Sequence, residues 1–291
     1  MLEAQPPLLV TAASARRALA LAVALLALGA SAPAGAPLPQ RLVLVGGGDK
    51  PPAAIGQLVA WAGGADARVL VVPWASAEPA ESAAAFQDDL RPHRPGRVEV
   101  APFAPLDAAK RAQVLEQLRA STGVFFTGGD QARIMDVLAD PGLLEAFRER
   151  YRAGVAFGGS SAGTAIMAPR MITGNGDFTV IDAATVETRP GLGLLEGTIV
   201  DQHFVKRQRE NRLFALVLAH PEELGLGIDE DTALLLEDGR RGRVVGRSVV
   251  MLVDGASTPG ALVLRLAREG QVVDVARRQV LEGEAPPTAA R

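Results

Sequence analysis

The sequence predicts a three-layer αβα protein built on a mostly parallel sheet, and three observations lead there. Short apolar runs alternate with longer stretches of helical spacing at least five times between Arg41 and Met167. The runs are apolar at consecutive rather than alternate positions, the pattern of strands buried on both faces. With 291 residues, 48% of them hydrophobic, the chain can bury the core of one large domain.

The elements follow in order. Arg41-Leu-Val-Leu-Val45 is a first strand entering Gly46-Gly47-Gly48-Asp49. Pro51 to Trp61 reads as a helix, with proline at its start and Gly63-Gly64 at its end. Ala67 to Pro73 is a second strand, Glu78 to Leu90 a polar-faced helix, and Arg97 to Ala101 a shorter strand suited to an edge. Asp107 to Ala120 is helical, Gly123 to Thr127 a fourth strand, and helices are expected from about Ala132 to Leu138 and from Gly142 to Ala153. Gly154 to Met167 then gives a buried strand, a tight turn and the start of a helix. Met171 to Leu195, rich in Gly, Thr and Asp, reads as a long loop region with short strands. Thr198-Ile-Val200 is a brief strand and Arg207 to Leu218 a helix. The closely spaced runs at 225–229, 232–236, 243–245 and 248–253 predict an antiparallel β extension at the sheet edge near the C-terminus.

Residues 1–36 read as a leader: Arg16-Arg17, the apolar run Ala18 to Ala30, then Ser31 to Ala36, the order of a secretory signal. That run is too short to span a bilayer, so a secreted or periplasmic domain over 37–282 is expected, with a disordered tail over 283–291. The 30 basic and 33 acidic residues leave a formal charge of −3, so no basic field points to nucleic acid or an anionic membrane. Cysteine is absent, which excludes disulfides, zinc–thiolate sites and a thiol nucleophile. No metal or cofactor is expected.

Gly159-Ser-Ser-Ala-Gly163 fits G-x-S-x-G. Such a turn projects one hydroxyl, here that of Ser161, above the sheet, and leaves the Ala162 N–H to face a developing oxyanion. A plain Gly/Ser turn that binds phosphate is the other reading. In a parallel sheet, Gly46-Gly47-Gly48, the 128–131 loop and the Ser161 turn would share the carboxyl edge. A serine nucleophile needs a base, and the chain offers His93, His203 and His220. His93 lies in a charged surface loop and His220 at a helix end; His203 follows a strand. Asp177 is the expected orienting acid, with Asp182 and Glu187 as competitors. Arg207, Arg209 and Arg212, close to His203, suit bidentate capture of substrate carboxylates; a solvated basic face is the alternative.

Four ordered motifs carry a family resemblance: Phe126-Thr-Gly-Gly-Asp-Gln131, Gly159 to Gly163, Asp201-Gln-His-Phe204 with Arg207, Arg209 and Arg212, and Gly227-Ile-Asp-Glu-Asp-Thr-Ala233. Together, over about Arg41 to Val253, the chain resembles the cyanophycinases, in the serine-peptidase family that also holds the α-aspartyl dipeptidases. The resemblance implies a sheet like that of class I glutamine amidotransferases, Ser161 as nucleophile and His203 as base. It implies oxyanion donors at the N–H groups of Gly129 and Ala162, and substrate contacts from Gln131, Asp201, Gln202, Arg207, Arg209 and Arg212. The implied substrate is a polyaspartate bearing arginine on each side-chain carboxyl, cut to β-Asp-Arg dipeptides. The expected partner is therefore a peptide or cyanophycin-type polymer; a homodimer stays open. Ser160 stands where relatives often carry threonine. Three rival readings remain: an aspartyl dipeptidase-like peptidase acting on short acidic peptides, an α/β-hydrolase, whose histidine usually comes nearer the end of the domain, and a non-catalytic binding protein for acidic peptides.

Overall fold

The structure is a computed structural model that describes residues 39–177 and 179–283. The expected leader, and all but the first residue of the expected tail, lie outside the described residues.

The parallel block forms as the apolar runs require. Strands β1 (Arg41–Val45), β2 (Arg68–Val72), β3 (Arg97–Val100), β4 (Gly123–Phe126) and β5 (Ala156–Ser160) pair in the order β1-β5-β4-β2-β3, all parallel, with β3 at the edge. Both faces are packed. Val43, Val45, Val69, Val71 and Phe125 meet α1 (Pro52–Trp61) and α2 (Pro79–Leu90) on one side. Leu42, Leu44, Leu70, Val72, Phe126 and Phe157 meet α3 (Ala108–Ala120), α4 (Gln131–Val137) and α5 (Pro141–Arg152) on the other. Asp107, Asp130 and Asp140 cap these last three helices by accepting backbone N–H bonds, and the sequence places an acid at each such start.

Register sets where the loops meet. Val45 lies opposite Ser160 and Phe126 opposite Gly159, so β1, β5 and β4 end at one level. The loops 46–50, 127–130 and the turn after Ser160 therefore leave the sheet side by side.

The second half differs from the expectation of one extended sheet. Among the described residues, β10 (Thr232–Glu237), β11 (Arg241–Gly246), β14 (Val272–Asp274) and β15 (Gln279–Leu281) do extend the main sheet antiparallel beyond β1. The runs at 225–229 and 248–253 instead enter a second sheet, β13-β12-β9-β8-β6-β7. Its strands are β6 (Arg170–Gly176), β7 (Val186–Pro190), β8 (Thr198–Gln202), β9 (Leu224–Ile228), β12 (Val250–Asp254) and β13 (Val263–Ala267). Leu226, Ile228, Val250 and Leu252 pack into the core on the α3–α5 side, so these strands bury apolar residues against the main sheet rather than beside it. Chain between β9 and β10, residues 229–231, passes from one sheet to the other.

The helix expected from Arg207 starts later. His203 and Gln208 adopt positive φ (50° and 53°), and turn bonds run from the N–H groups of Arg207, Gln208 and Arg209 to His203, Val205 and Phe204. Helix α7 spans only Glu210–Ala219, with Arg209 at its N-cap position. No helix among the described residues is long and apolar enough to cross a membrane.

Candidate active site

Ser161 follows β5 directly and holds φ 52°, ψ −111°, a conformation costly for a non-glycine residue. Its N–H donates to the Val45 carbonyl at 3.0 Å, while its own carbonyl accepts from Thr164 and Ala165 at 2.9 Å, opening the short helix α6 (Ala162–Ala165). The buried Thr164 hydroxyl donates to the carbonyls of Val45 (2.7 Å) and Gly159 (2.8 Å), tying the turn to two strands. The motif glycines are required by close approach: a Cβ on Gly163 would fall on the Phe126 carbonyl, and one on Gly159 on Gly163 itself. As the first residue of α6, Ala162 has an N–H without an intrahelical acceptor. The Gly128-Gly129 loop runs against Ser161, a Cβ on Gly128 lying 3.4 Å from the Ser161 Cβ.

His203 follows β8, and its N–H donates to the Gly46 carbonyl at 2.7 Å. This backbone bond brings the second sheet to the carboxyl edge of the first. Nε2 lies 2.7 Å from the Ser161 Oγ and Nδ1 lies 2.6 Å from Glu230 Oε1. With an ionised Glu230, Nδ1–H donates to the carboxylate and Nε2 accepts from the hydroxyl. The ring packs on Gly47, where any Cβ would fall on the imidazole; φ there is 121°, which glycine tolerates. Burial lowers the His203 pKa below its ordinary value; the Glu230 bond opposes this, and the positive charges of Arg207 and Arg209 add to it.

The linking segment 229–231 puts three acids to three uses. Asp229 accepts from the Lys206 N–H (2.9 Å) and the Ser248 hydroxyl (2.6 Å), which fixes the turn after His203. Glu230 turns to the imidazole. Asp231 accepts from the Asp49 N–H at 2.7 Å and donates its own N–H to the Gly47 carbonyl, which holds the first glycine loop.

Asp177 is therefore not the acid beside His203. It accepts from the N–H and hydroxyl of Thr179 (2.9 and 2.6 Å) in an exposed turn, and these bonds hold its carboxyl below the usual carboxylate range. Nor do its competitors reach the ring: Asp182 accepts from the Ala184 N–H and Glu187 from Asn175 Nδ2. Glu230 stands in the Gly227 to Ala233 motif. The available signal was an acidic triplet between two strands.

The polar residues expected at the substrate divide in two. Arg212 and Asp201 are each 1% exposed and form a bidentate pair, Nε to Oδ2 at 2.7 Å with Nη2 bonded to Oδ1. Nη1 of Arg212 also donates to the Thr173 carbonyl (3.3 Å), and Asp201 Oδ1 accepts from the Gln202 N–H (2.8 Å). These two groups hold one another beneath β8, a correction to their expected substrate contact. Gln131 is likewise buried, its Nε2 donating to the Ile172 carbonyl at 2.7 Å. Arg209 Nη1 donates to the carbonyl (2.9 Å) and Oε1 (2.8 Å) of Gln202, and Gln202 Oε1 lies 3.4 Å from the Ser161 Oγ. Burial pulls the Arg209 pKa down to about 10. Arg207, half exposed, lies with Nε 3.9 Å from Glu230 Oε1. It lines a cavity of about 360 Å³ with Gly47, Lys50, Gly129, Ser161 and His203.

Fold and site together define a mixed α/β protein with a serine–histidine–glutamate constellation at the carboxyl edge of its main sheet. The chain belongs to peptidase family S51, whose pattern matches residues 42–243. It is similar to a protein of Trichormus variabilis described as cyanophycinase, 39% identical over 194 residues, 66% of this chain and 65% of that protein. Another cyanophycinase, from Geminocystis herdmanii, is 36% identical over 195 residues, 67% of this chain and 72% of that one. A peptidase E of Streptomyces coelicolor is 36% identical over 81 residues, 28% of this chain and 32% of its own. Among solved structures, a peptidase from an acI-B1 actinobacterium superposes with a TM-score of 0.62 at 21% identity, covering 80% of this chain and 96% of its own. This last likeness concerns the fold alone.

Proposed function

We propose that the chain is a serine-type hydrolase that cuts a cyanophycin-type polymer to β-Asp-Arg dipeptides through an acyl-enzyme on Ser161. The observation that carries the reading is the continuous relay Ser161 Oγ, His203 Nε2 at 2.7 Å, and His203 Nδ1 to Glu230 Oε1 at 2.6 Å. In this reading His203 removes the hydroxyl proton as Oγ attacks the scissile carbonyl, and returns it to the leaving amine. Water then repeats the cycle on the ester and releases the acid. Glu230 fixes the tautomer and offsets the imidazolium charge that forms. The N–H groups of Gly129 and Ala162 take the oxyanion, supported by the N1 position of Ala162 and by the run of loop 127–130 against Ser161.

The substrate class is supported by the relatives described as cyanophycinases and by cations at the cavity, with Arg207 on its wall and Arg209 behind Gln202. Likeness of the three-layer core to class I glutamine amidotransferases belongs to the same reading, as does export directed by the leader. The test is to incubate residues 37–291 with cyanophycin and with plain α-aspartyl peptides and to identify the products by mass. Release of β-Asp-Arg, absent with Ser161→Ala, is expected. Cleavage of the α-aspartyl peptides alone would replace the substrate with that of a dipeptidase.

A further inference from the structure

Lys50 ends the first glycine loop and stands between two cavities, one lined also by Ser161, His203 and Arg207 and the other by Asp89. Its ammonium lies 2.8 Å from Asp89 Oδ2, near the end of α2, and 6.0 Å from the ring centroid of Phe86. Phe86 is 1% exposed and stacks on Phe125 of β4 at 3.8 Å, so the surface below the lysine is rigid. The loop itself is held by the Asp49 N–H on Asp231. A flexible side chain is thus restrained at both ends, yet only one of the three ammonium donors is needed for the single carboxylate oxygen beside it. The side chain keeps 20% of its surface exposed.

Together with Arg207, Lys50 gives the cavity around Ser161 two cations. An anion belongs between them, and in the proposed substrate its identity follows from the bonding. Each aspartyl unit spends one carboxyl on the backbone peptide and the other on the isopeptide to arginine. The carboxylate left free in each repeat is that of the arginine branch. We infer that Lys50 is a specificity residue that binds the arginyl α-carboxylate of the branch next to the scissile bond, through the ammonium donors that Asp89 leaves free. This inference rests on the function proposed above.

The test compares a β-Asp-Arg oligomer with the same oligomer amidated at its arginyl carboxylates, on wild type, Lys50→Met and Lys50→Arg. Wild type is expected to show a KM at least about tenfold higher on the amidated oligomer, the factor that 1.4 kcal/mol represents. Lys50→Met should raise KM on the free-carboxylate oligomer by about the same factor, with little change in kcat and none in labelling of Ser161 by a small fluorophosphonate. On the amidated oligomer Lys50→Met and wild type should coincide, and Lys50→Arg should retain the preference for the free carboxylate. An unchanged wild-type KM on amidation overturns the inference without any variant having to fold. So does a KM increase in Lys50→Met that is equal on both oligomers, the result of mere loop support. If wild type cuts neither oligomer, the parent reading falls and this one with it; if it cuts both alike, only this one falls.

Discussion

Replacing Arg212 distinguishes a buried brace from a substrate contact. Arg212→Met removes both bonds to Asp201 and the bond to the Thr173 carbonyl, and leaves the Asp201 carboxylate, 1% exposed, with the Gln202 N–H. Charge-assisted bonds contribute about 1.5–3 kcal/mol each, and breaking a buried pair from one side costs about 3–5 kcal/mol. For a domain of this size each kcal/mol moves the midpoint by about 2–4 °C, so a fall of roughly 6–20 °C is expected. Lysine keeps the charge but reaches one carboxylate oxygen, so Arg212→Lys should lose about half as much. The double variant Asp201→Leu/Arg212→Met should be more stable than either single one, since no buried charge is left unpaired. Thermal melts by circular dichroism give the stabilities. Turnover and fluorophosphonate labelling, measured well below each midpoint, show whether the folded site survives. A folded Arg212→Lys with an unchanged midpoint and a raised substrate KM would refute the reasoning and return Arg212 to the substrate.

Ser161→Ala, His203→Ala and the double variant should each lose activity to a similar extent, on the order of 10⁴-fold or more, because the groups act as a unit. Glu230→Gln is expected to lower kcat by up to about 10⁴-fold, whereas Asp177→Asn should leave it near wild type; the opposite ranking in steady-state assays restores Asp177. In the proposed mechanism His203 acts as the neutral imidazole, and burial lowers its pKa, so the acid limb of kcat/KM should fall below the ordinary histidine value of about 6.5. Arg207→Gln removes a positive charge that lowers this pKa, so the limb should move to higher pH; a shift downward in the pH profile contradicts the geometry. N-terminal sequencing of protein from the native host should find a start between about Pro33 and Pro37; abundant soluble protein beginning at Met1 contradicts export.

The parallel core was legible in the sequence because strands buried on both faces must be apolar at consecutive positions, and Leu42 to Val45, Val69 to Val72 and Val124 to Phe126 are. Ser161 was legible for a related reason: a strained turn packed against β1 and β4 requires glycines at 159 and 163. His203 stood out through elimination among three histidines. Tertiary structure decided the rest. Apolar runs at 225–229 and 248–253 show that strands exist but not which neighbours accept their hydrogen bonds, and the split into two sheets follows from that pairing. Because 229–231 joins those sheets, Glu230 reaches the imidazole 27 positions away from His203, while nearer acids bond within their own turns. Three arginines within six residues look alike as a string. Turn geometry at His203 and Gln208 and the late start of α7 send Arg207 to the cavity, Arg209 to Gln202 and Arg212 into the core, so burial and the nearest carboxylate decide what each positive charge does.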